Sequence, residues 1–258
     1  MGKFDGILLT SDWDGTLCYN GEVSKKNIDA INYFMENGGK FSVCSGRYLS
    51  FFDQFSGIIK PNTYLVTLNG ALIIDPETKE KLHEGFCDKF LFDIIQKVLD
   101  SGIEFLNINF YLPDSEPIQL TKEEYLSVKK DYMNAKIYKI LFRFPSEEIA
   151  LKAKALLLSS DMRGYTAMRS WNISLEIMKS EHGKDMAIRR LKEALGVKTV
   201  VSVGDFENDI EMLKTADIGY AVGNATEELK SVADKITVSA ESAALAKVIS
   251  DIEKNLLT

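Results

Sequence analysis

Two carboxylates one residue apart, Asp12 and Asp14, stand in the stretch Asp12-Trp13-Asp14-Gly15-Thr16-Leu17. Held close together and partly out of water, such a pair repels itself and needs a cation or a shared proton. The chemistry that fits is metal-assisted, with one aspartate attacking and the other moving protons. A second acidic group, Gly204-Asp205-Phe206-Glu207-Asn208-Asp209, sets Asp205 and Asp209 four residues apart. A helix starting near Glu207 would bring Asp209 close to Asp205. Oxygen ligands gathered this way, with no nearby His or Cys, suit Mg2+. Two further features could hold a phosphoryl group. Ser45-Gly46-Arg47 offers a hydroxyl and the amides of a following helix start. Lys184, at the start of another helix, is a point charge suited to phosphate or to a nucleophilic carboxylate. Taken singly, an acidic turn or a solvated lysine would explain each of these. Four mutually repelling aspartates in two such groups are harder to explain without a cation.

The elements that must position these residues follow an alternating pattern. The apolar run Gly6-Ile7-Leu8-Leu9-Thr10-Ser11 reads as a buried strand ending at the first acidic pair, where Gly15 lets the chain turn. Residues 24–37 read as a helix capped by Ser24 and closed by Gly38-Gly39. Lys40 to Cys44 reads as a strand ending at Ser45-Gly46-Arg47, with a helical stretch after it. Tyr64 to Leu68 reads as a third strand, ending at Asn69-Gly70. Near the C-terminus, Gly183 to Leu195 is amphipathic, and Lys198 to Val203 is a β-branched strand leading into the second acidic group. Asp217 to Val222 is another strand, with a helix from Thr226. This rhythm predicts a Rossmann-like α/β core with a parallel sheet, whose strand carboxyl ends are where ligands bind.

The middle of the chain breaks the rhythm. Ala71–Asp75 and Lys81–Phe86 flank the turn residues Asp75-Pro76-Glu77-Thr78. Asp88–Leu99 and Ser146–Ser159 read as helices, and Lys136–Phe144 as a strand. Met162–Met168 and Asn172–Met178 read as consecutive strands joined near Arg169-Ser170. Neighbouring strands without an intervening helix imply an antiparallel or mixed sheet. The expectation is an inserted α+β cap domain over residues 83–179, with residues 1–82 and 180–258 forming the core.

Bulk properties permit this and exclude little. The 258 residues carry 45% hydrophobic and 27% charged side chains, ordinary for a soluble globular protein. The net charge of −7 argues against a nucleic-acid partner. Cys18, Cys44 and Cys87 form no metal or disulfide pattern. No signal-peptide pattern opens the chain and no run is long enough to cross a bilayer, so the expectation is a cytoplasmic protein without a membrane partner. Oligomeric state is not readable. His83, His182 and the aromatic group Phe51, Phe52 and Phe55 read as structural, and Trp13 as pointing away from its flanking aspartates.

Taken in order, Asp-x-Asp-Gly-Thr, Ser-Gly-Arg, Lys184 and Gly-Asp-x-x-Asn-Asp resemble the haloacid dehalogenase-like superfamily. Asn69-Gly70-Ala71, Leu175-Glu176-Ile177 and Gly223-Asn224-Ala225 sharpen the resemblance toward its Cof-type phosphatase branch. The resemblance implies a Mg2+-dependent phosphatase of small phosphorylated metabolites, sugar phosphates among them. It implies Asp12 as the nucleophile that becomes an aspartyl phosphate, and Asp14 as the acid and then the base. Ser45 and Lys184 would bind the phosphoryl group, with Gly46, Arg47, Asn69 and Asn208 also on the phosphate or substrate side. Asp12, the Asp14 carbonyl, Asp205 and Asp209 would hold Mg2+. A phosphomutase of the same fold and a non-catalytic regulatory protein that kept the fold are the alternatives. Asp185 beside Lys184, and Ser239-Ala240-Glu241-Ser242-Ala243-Ala244 before the last helix, depart from the family pattern.

Overall fold

The structure, a computed structural model, describes residues 2–256. Its contacts divide the chain into two units, Met1–His83 with Lys184–Thr258, and Glu84–Gly183.

The first unit is built on a five-stranded sheet. Its order is Lys235–Ile236, Ile218–Ala221, Thr199–Gly204, Ile7–Ser11, Lys40–Val43, and every pairing is parallel. All five residues of Ile7–Ser11 are buried. That is the burial of a central strand covered on both faces, and it explains why its sequence is a continuous apolar run rather than an alternating one. The two polar residues in it are satisfied in place. Thr10 and Ser202 hydroxyls bond each other at 2.8 Å across neighbouring strands, and Ser11 Oγ donates to the Asp12 carbonyl at 2.7 Å. The pairing register sets Ser11 opposite both Val43 and Val203. The residues that follow, Asp12, Cys44 and Gly204, therefore leave the sheet side by side.

The flanking helices form where local signals place them. Lys25–Glu36 starts at Ser24, whose Oγ accepts from the Asn27 amide at 3.2 Å. The buried Asn27 side chain in turn accepts from the Ala246 amide at 3.1 Å, fixing this helix to Ala244–Leu256. Lys184–Leu195 buries Lys184, Ala187, Ile188 and Leu191, one stripe at helical spacing. The helical stretch after Arg47 is a 3-10 segment, Leu49–Phe55. Phe51, Phe52 and Phe55 pack there around the buried Trp13, with ring centroids 6.4, 5.2 and 4.6 Å from the indole.

The second unit has its own core. An antiparallel sheet runs Tyr165–Trp171, Ser174–Lys179, Lys139–Arg143, Asn107–Tyr111, Ile118–Leu120. Ile108, Phe110, Ile140, Phe142, Leu175 and Ile177 project from one face of it into a buried cluster with Leu91, Ile94 and Leu157 of the Phe90–Asp100 and Glu147–Leu158 helices. Three elements here escape the sequence pattern: Asn107–Tyr111, Ile118–Leu120 and the helix Lys122–Tyr132. Asparagines at alternate positions hide the first, and the last buries only Tyr125, so its apolar stripe is almost absent. Its start is fixed instead by a capping box between Thr121 and Glu124. One expectation is corrected. Arg169 and Ser170 lie inside a strand, and the turn falls at Asn172-Ile173, because a bulge between Arg169 and Trp171 carries the pairing on to Trp171 opposite Ser174.

Candidate active site

At the carboxyl edge of the parallel sheet, Asp12, Asp205 and Asp209 each offer a carboxylate oxygen within 4.8 Å of the others. The Asp12 amide donates to Val203 O at 2.9 Å, continuing the ladder past the strand end and holding this residue beside the second acidic loop. Asp209 closes that loop. Its Oδ2 accepts from the amides of Asp205 at 3.0 Å and Phe206 at 3.2 Å. A Cβ at Gly204 would lie 2.6 Å from the Asp209 side chain, so only glycine allows this approach. Gly15, at φ +75°, turns the first loop, and a Cβ there would lie 2.4 Å from Asp205 Oδ2. Thr16 Oγ1 donates to Asp205 Oδ1 at 3.0 Å. Asn224 Nδ2 donates to the Gly15 carbonyl at 2.9 Å while its Oδ1 accepts from the Ala240 amide at 2.8 Å. The Ser239–Ser242 stretch is thereby tied to the aspartate loop.

Lys184 is buried and bridges the cluster, with Nζ 2.6 Å from Asp12 Oδ1 and 2.6 Å from Asp209 Oδ1. One ammonium thus faces three carboxylates. The charge excess shows in the proton affinities. Burial, with Asp209 and Asp14 adding repulsion, outweighs Lys184 and pushes the Asp12 carboxyl up to about 7. Burial and then Asp12 and Asp209 raise Asp205 well above the carboxylate range. Burial alone would lower Lys184, but Asp12 and Asp209 outweigh it and hold the ammonium firmly charged. Three hard carboxylates with unspent negative charge, on two tightly fixed loops, are a donor set that suits a Mg2+-type cation.

Asp14 stands apart from this cluster. Its half-exposed carboxylate forms a two-pronged pair with Arg47, Nε to Oδ2 and NH2 to Oδ1, both at 2.8 Å. Its carboxylate is not one of the three gathered for a cation. Arg47 also lies over the Phe51 ring at 4.4 Å. Ser45 Oγ accepts from the Arg47 amide at 3.1 Å, across Gly46. The Ser45 carbonyl accepts from the Asn69 amide at 2.8 Å, and Asn208 Nδ2 donates to Asn69 Oδ1 at 3.3 Å. The three loops that follow Val43, Thr67 and Gly204 are thus linked side by side. Sequence reasoning missed two pairings. Arg47 engages Asp14, and Thr16 engages Asp205. Thr16 stood in the quoted motif, but nothing local showed which carboxylate its hydroxyl meets.

A parallel α/β sheet that gathers acids and one buried lysine at its carboxyl edge defines a hydrolase class with known relatives. The model of the haloacid dehalogenase-like hydrolases matches residues 9–249, and the chain belongs to that family. A putative phosphatase of Bacillus subtilis, YxeH, is 28% identical over 269 residues, spanning 95% of this chain and 97% of the relative. The 5-amino-6-(5-phospho-D-ribitylamino)uracil phosphatase YcsE of the same organism is 25% identical over 248 residues, spanning 94% of each. A solved haloacid dehalogenase-like hydrolase from B. subtilis superposes with a TM-score of 0.81 at 23% identity, covering 94% of this chain and 98% of that one. The chain is an enzyme of this phosphatase group, a phosphoric monoester hydrolase. Among its described residues no helix is long and apolar enough to cross a membrane.

Proposed function

We propose that the protein is a Mg2+-dependent phosphatase of small phosphorylated metabolites, sugar and polyol phosphates foremost, acting through an aspartyl phosphate on Asp12. The observation that carries this is the excess of carboxylate over cation around the buried Asp12, Asp205, Asp209 and Lys184. Asp12, Asp205 and Asp209, with the Asp14 carbonyl, would hold the cation, which when bound supplies charge neutralisation for the transferring phosphoryl group.

The chain's own residues do the rest. Lys184 fixes the Asp12 oxygen through its 2.6 Å contact and lends it positive charge. The other Asp12 oxygen attacks phosphorus, forming a P–O bond as the ester P–O bond breaks. Asp14 gives its proton to the departing alkoxide. A water then attacks phosphorus, loses a proton to Asp14, and returns Asp12 as a free carboxylate with release of inorganic phosphate. Ser45 would meet a phosphoryl oxygen by donating its hydroxyl while it accepts from the Arg47 amide, with Asn69 and Asn208 hydrogen-bonded to each other on the substrate side. Arg47 holds Asp14 until a substrate anion competes for the guanidinium.

The Glu84–Gly183 unit, which has a separate hydrophobic core, is the proposed specificity cap, corresponding to the 83–179 insertion read from the sequence. The three free cysteines suit a reducing cytoplasm. The deciding experiment measures phosphate release from p-nitrophenyl phosphate and a panel of phosphorylated sugars and polyols, with Mg2+ and with EDTA. Undiminished turnover in EDTA would sink the metal-dependent mechanism.

A further inference from the structure

Lys184 has to be held closely, because its Nζ lies 2.6 Å from both Asp12 Oδ1 and Asp209 Oδ1. Its own helix start does little to hold it. The residue before the Lys184–Leu195 helix is Gly183, which has no side chain to cap the helix and the least restricted backbone of any residue. The residue before that glycine is better fixed. His182 is buried, and its ring occupies the place that a side chain at Gly85 would take. A Cβ added at Gly85 would lie 2.1, 2.3 and 2.5 Å from the His182 ring atoms Cε1, Nε2 and Nδ1. Gly85 is itself buried, so ring and backbone meet away from water.

Both partners are anchored within the Glu84–Gly183 unit, near its two ends. On one side of Gly85, Glu84 Oε1 accepts from Tyr138 OH at 2.6 Å, and on the other the Cys87 amide donates to Ile137 O at 2.7 Å. Ahead of His182, the Ser180 amide and hydroxyl both donate to Gly164 O at 2.8 Å, and Ser180–His182 forms a 3-10 turn. Each segment is held by its own hydrogen bonds, and the His182 ring seated on Gly85 joins one segment to the other. Only Gly183 separates this joint from Lys184.

We propose that His182, seated on Gly85, is a positioning residue for the reaction: it sets the start of the Lys184 helix and, through it, the ammonium that fixes Asp12. What Lys184 does for turnover rests on the phosphatase reading, whereas where Lys184 is held does not. A displacement of about 1 Å in a catalytic group costs on the order of 100-fold in rate, so a joint this close to Lys184 has a large effect to transmit.

The test uses the full chain and two readouts. One is kcat for p-nitrophenyl phosphate with Mg2+. The other is the rate at which formaldehyde and a borohydride reductant methylate Lys184, followed by mass spectrometry, with the equally buried Lys139 as the internal reference. Gly85→Ala, whose Cβ displaces the ring, should lower kcat by roughly 10- to 100-fold while thermal melting still reports a folded protein. Lys184 should be methylated severalfold faster, and Lys139 as slowly as before. His182→Ala should act in the same direction on both readouts. Adding Gly85→Ala to His182→Ala should change neither further, because the new Cβ then meets no ring. Folded variants with the natural kcat and a Lys184 as protected as before would overturn the proposal. So would methylation of Lys139 accelerating along with Lys184, which is general loosening, or a double variant that shows the two single losses combined. If Gly85→Ala does not fold, His182→Ala carries both readouts. A natural chain that releases no phosphate would sink the phosphatase reading, while the methylation rates would still judge the positioning of Lys184.

Discussion

Each unit of the protein buries a lysine among acids, and the two settings differ in one respect. In the Glu84–Gly183 unit, Lys139 and Glu176 are both buried and in direct contact from adjacent strands, with Lys139 also 4.6 Å over the Tyr111 ring. An ammonium and a carboxylate meet there on paired strands of a regular sheet. At the parallel sheet's carboxyl edge, Lys184 is equally buried but faces Asp12 and Asp209, with Asp205 beside them. Here charge is unmatched, and the loops carrying it tolerate no side chain at Gly15 or Gly204. Burial of an ion pair is therefore not what marks a reactive site. The mark is an uncompensated charge held by a backbone shaped to keep it in place, since such an arrangement costs stability that packing alone would not retain.

Four measurements break or sharpen that contrast. The largest effect is expected of Asp12→Asn, nearly isosteric, which should lower kcat by roughly four orders of magnitude or more while thermal melting still reports a folded protein. Substantial residual turnover in rigorously purified Asp12→Asn would remove Asp12 as the nucleophile. Next is Lys139→Met, which removes the ammonium in direct contact with the buried Glu176 and should cost about 3–5 kcal/mol of unfolding free energy by urea denaturation. Adding Glu176→Leu should recover most of that loss, with turnover of a small aryl phosphate retained. A double variant no better than the single would mean that the pair does more than balance itself.

Smaller is the effect of Asp205→Ala, expected to lower kcat/KM about 100-fold and to shift the Mg2+ dependence to higher concentration. An unchanged Mg2+ titration would exclude Asp205 from the metal site. The smallest concerns pH in the metal-free protein. Asp12 is raised from 3.8 to about 7 and Asp205 is raised too, so the folded chain holds protons that the unfolded chain releases. Stability contributed by these groups is then present at low pH and falls as pH rises, for Asp12 through the interval from 3.8 to about 7. Lys184, raised above its ordinary value of 10.5, adds no slope in that interval. Melting in EDTA should drop by a few degrees, on the order of the shift from 1 kcal/mol, between about pH 5 and pH 8. Excess Mg2+ should flatten the dependence by favouring the ionised cluster. A metal-free melting point that rises over this range would contradict the charge excess.

Much of the parallel core was legible because its signals are local. The Ile7–Ser11 and Thr199–Gly204 strands are apolar runs, and Ser24 and Thr226 cap helices with their own side chains, accepting from Asn27 and Leu229 amides. The second unit was less legible for an equally physical reason. Asn107–Tyr111 sends Ile108 and Phe110 into the core but shows asparagine at alternate positions, and Lys122–Tyr132 rests on a cap rather than on an apolar stripe. The turn between its last two strands shifted because a bulge has no distinct sequence signature.

At the site, the sequence by itself determined which residues stand at strand ends. The order of apolar runs and turn residues puts Asp12, Ser45, Asn69 and Asp205 just past strands whatever else happens. Only the tertiary structure decided what each side chain meets. Arg47, expected on the phosphate side, is paired with Asp14, and Lys184 bridges Asp12 from 172 residues away. Trp13, expected merely to point away from its flanking aspartates, is buried against Phe51, Phe52 and Phe55. Strand ends follow from short-range periodicity, which a linear sequence carries. Partner choice follows from distances of a few ångströms between residues far apart in the chain, which exist only once the sheet has closed its register.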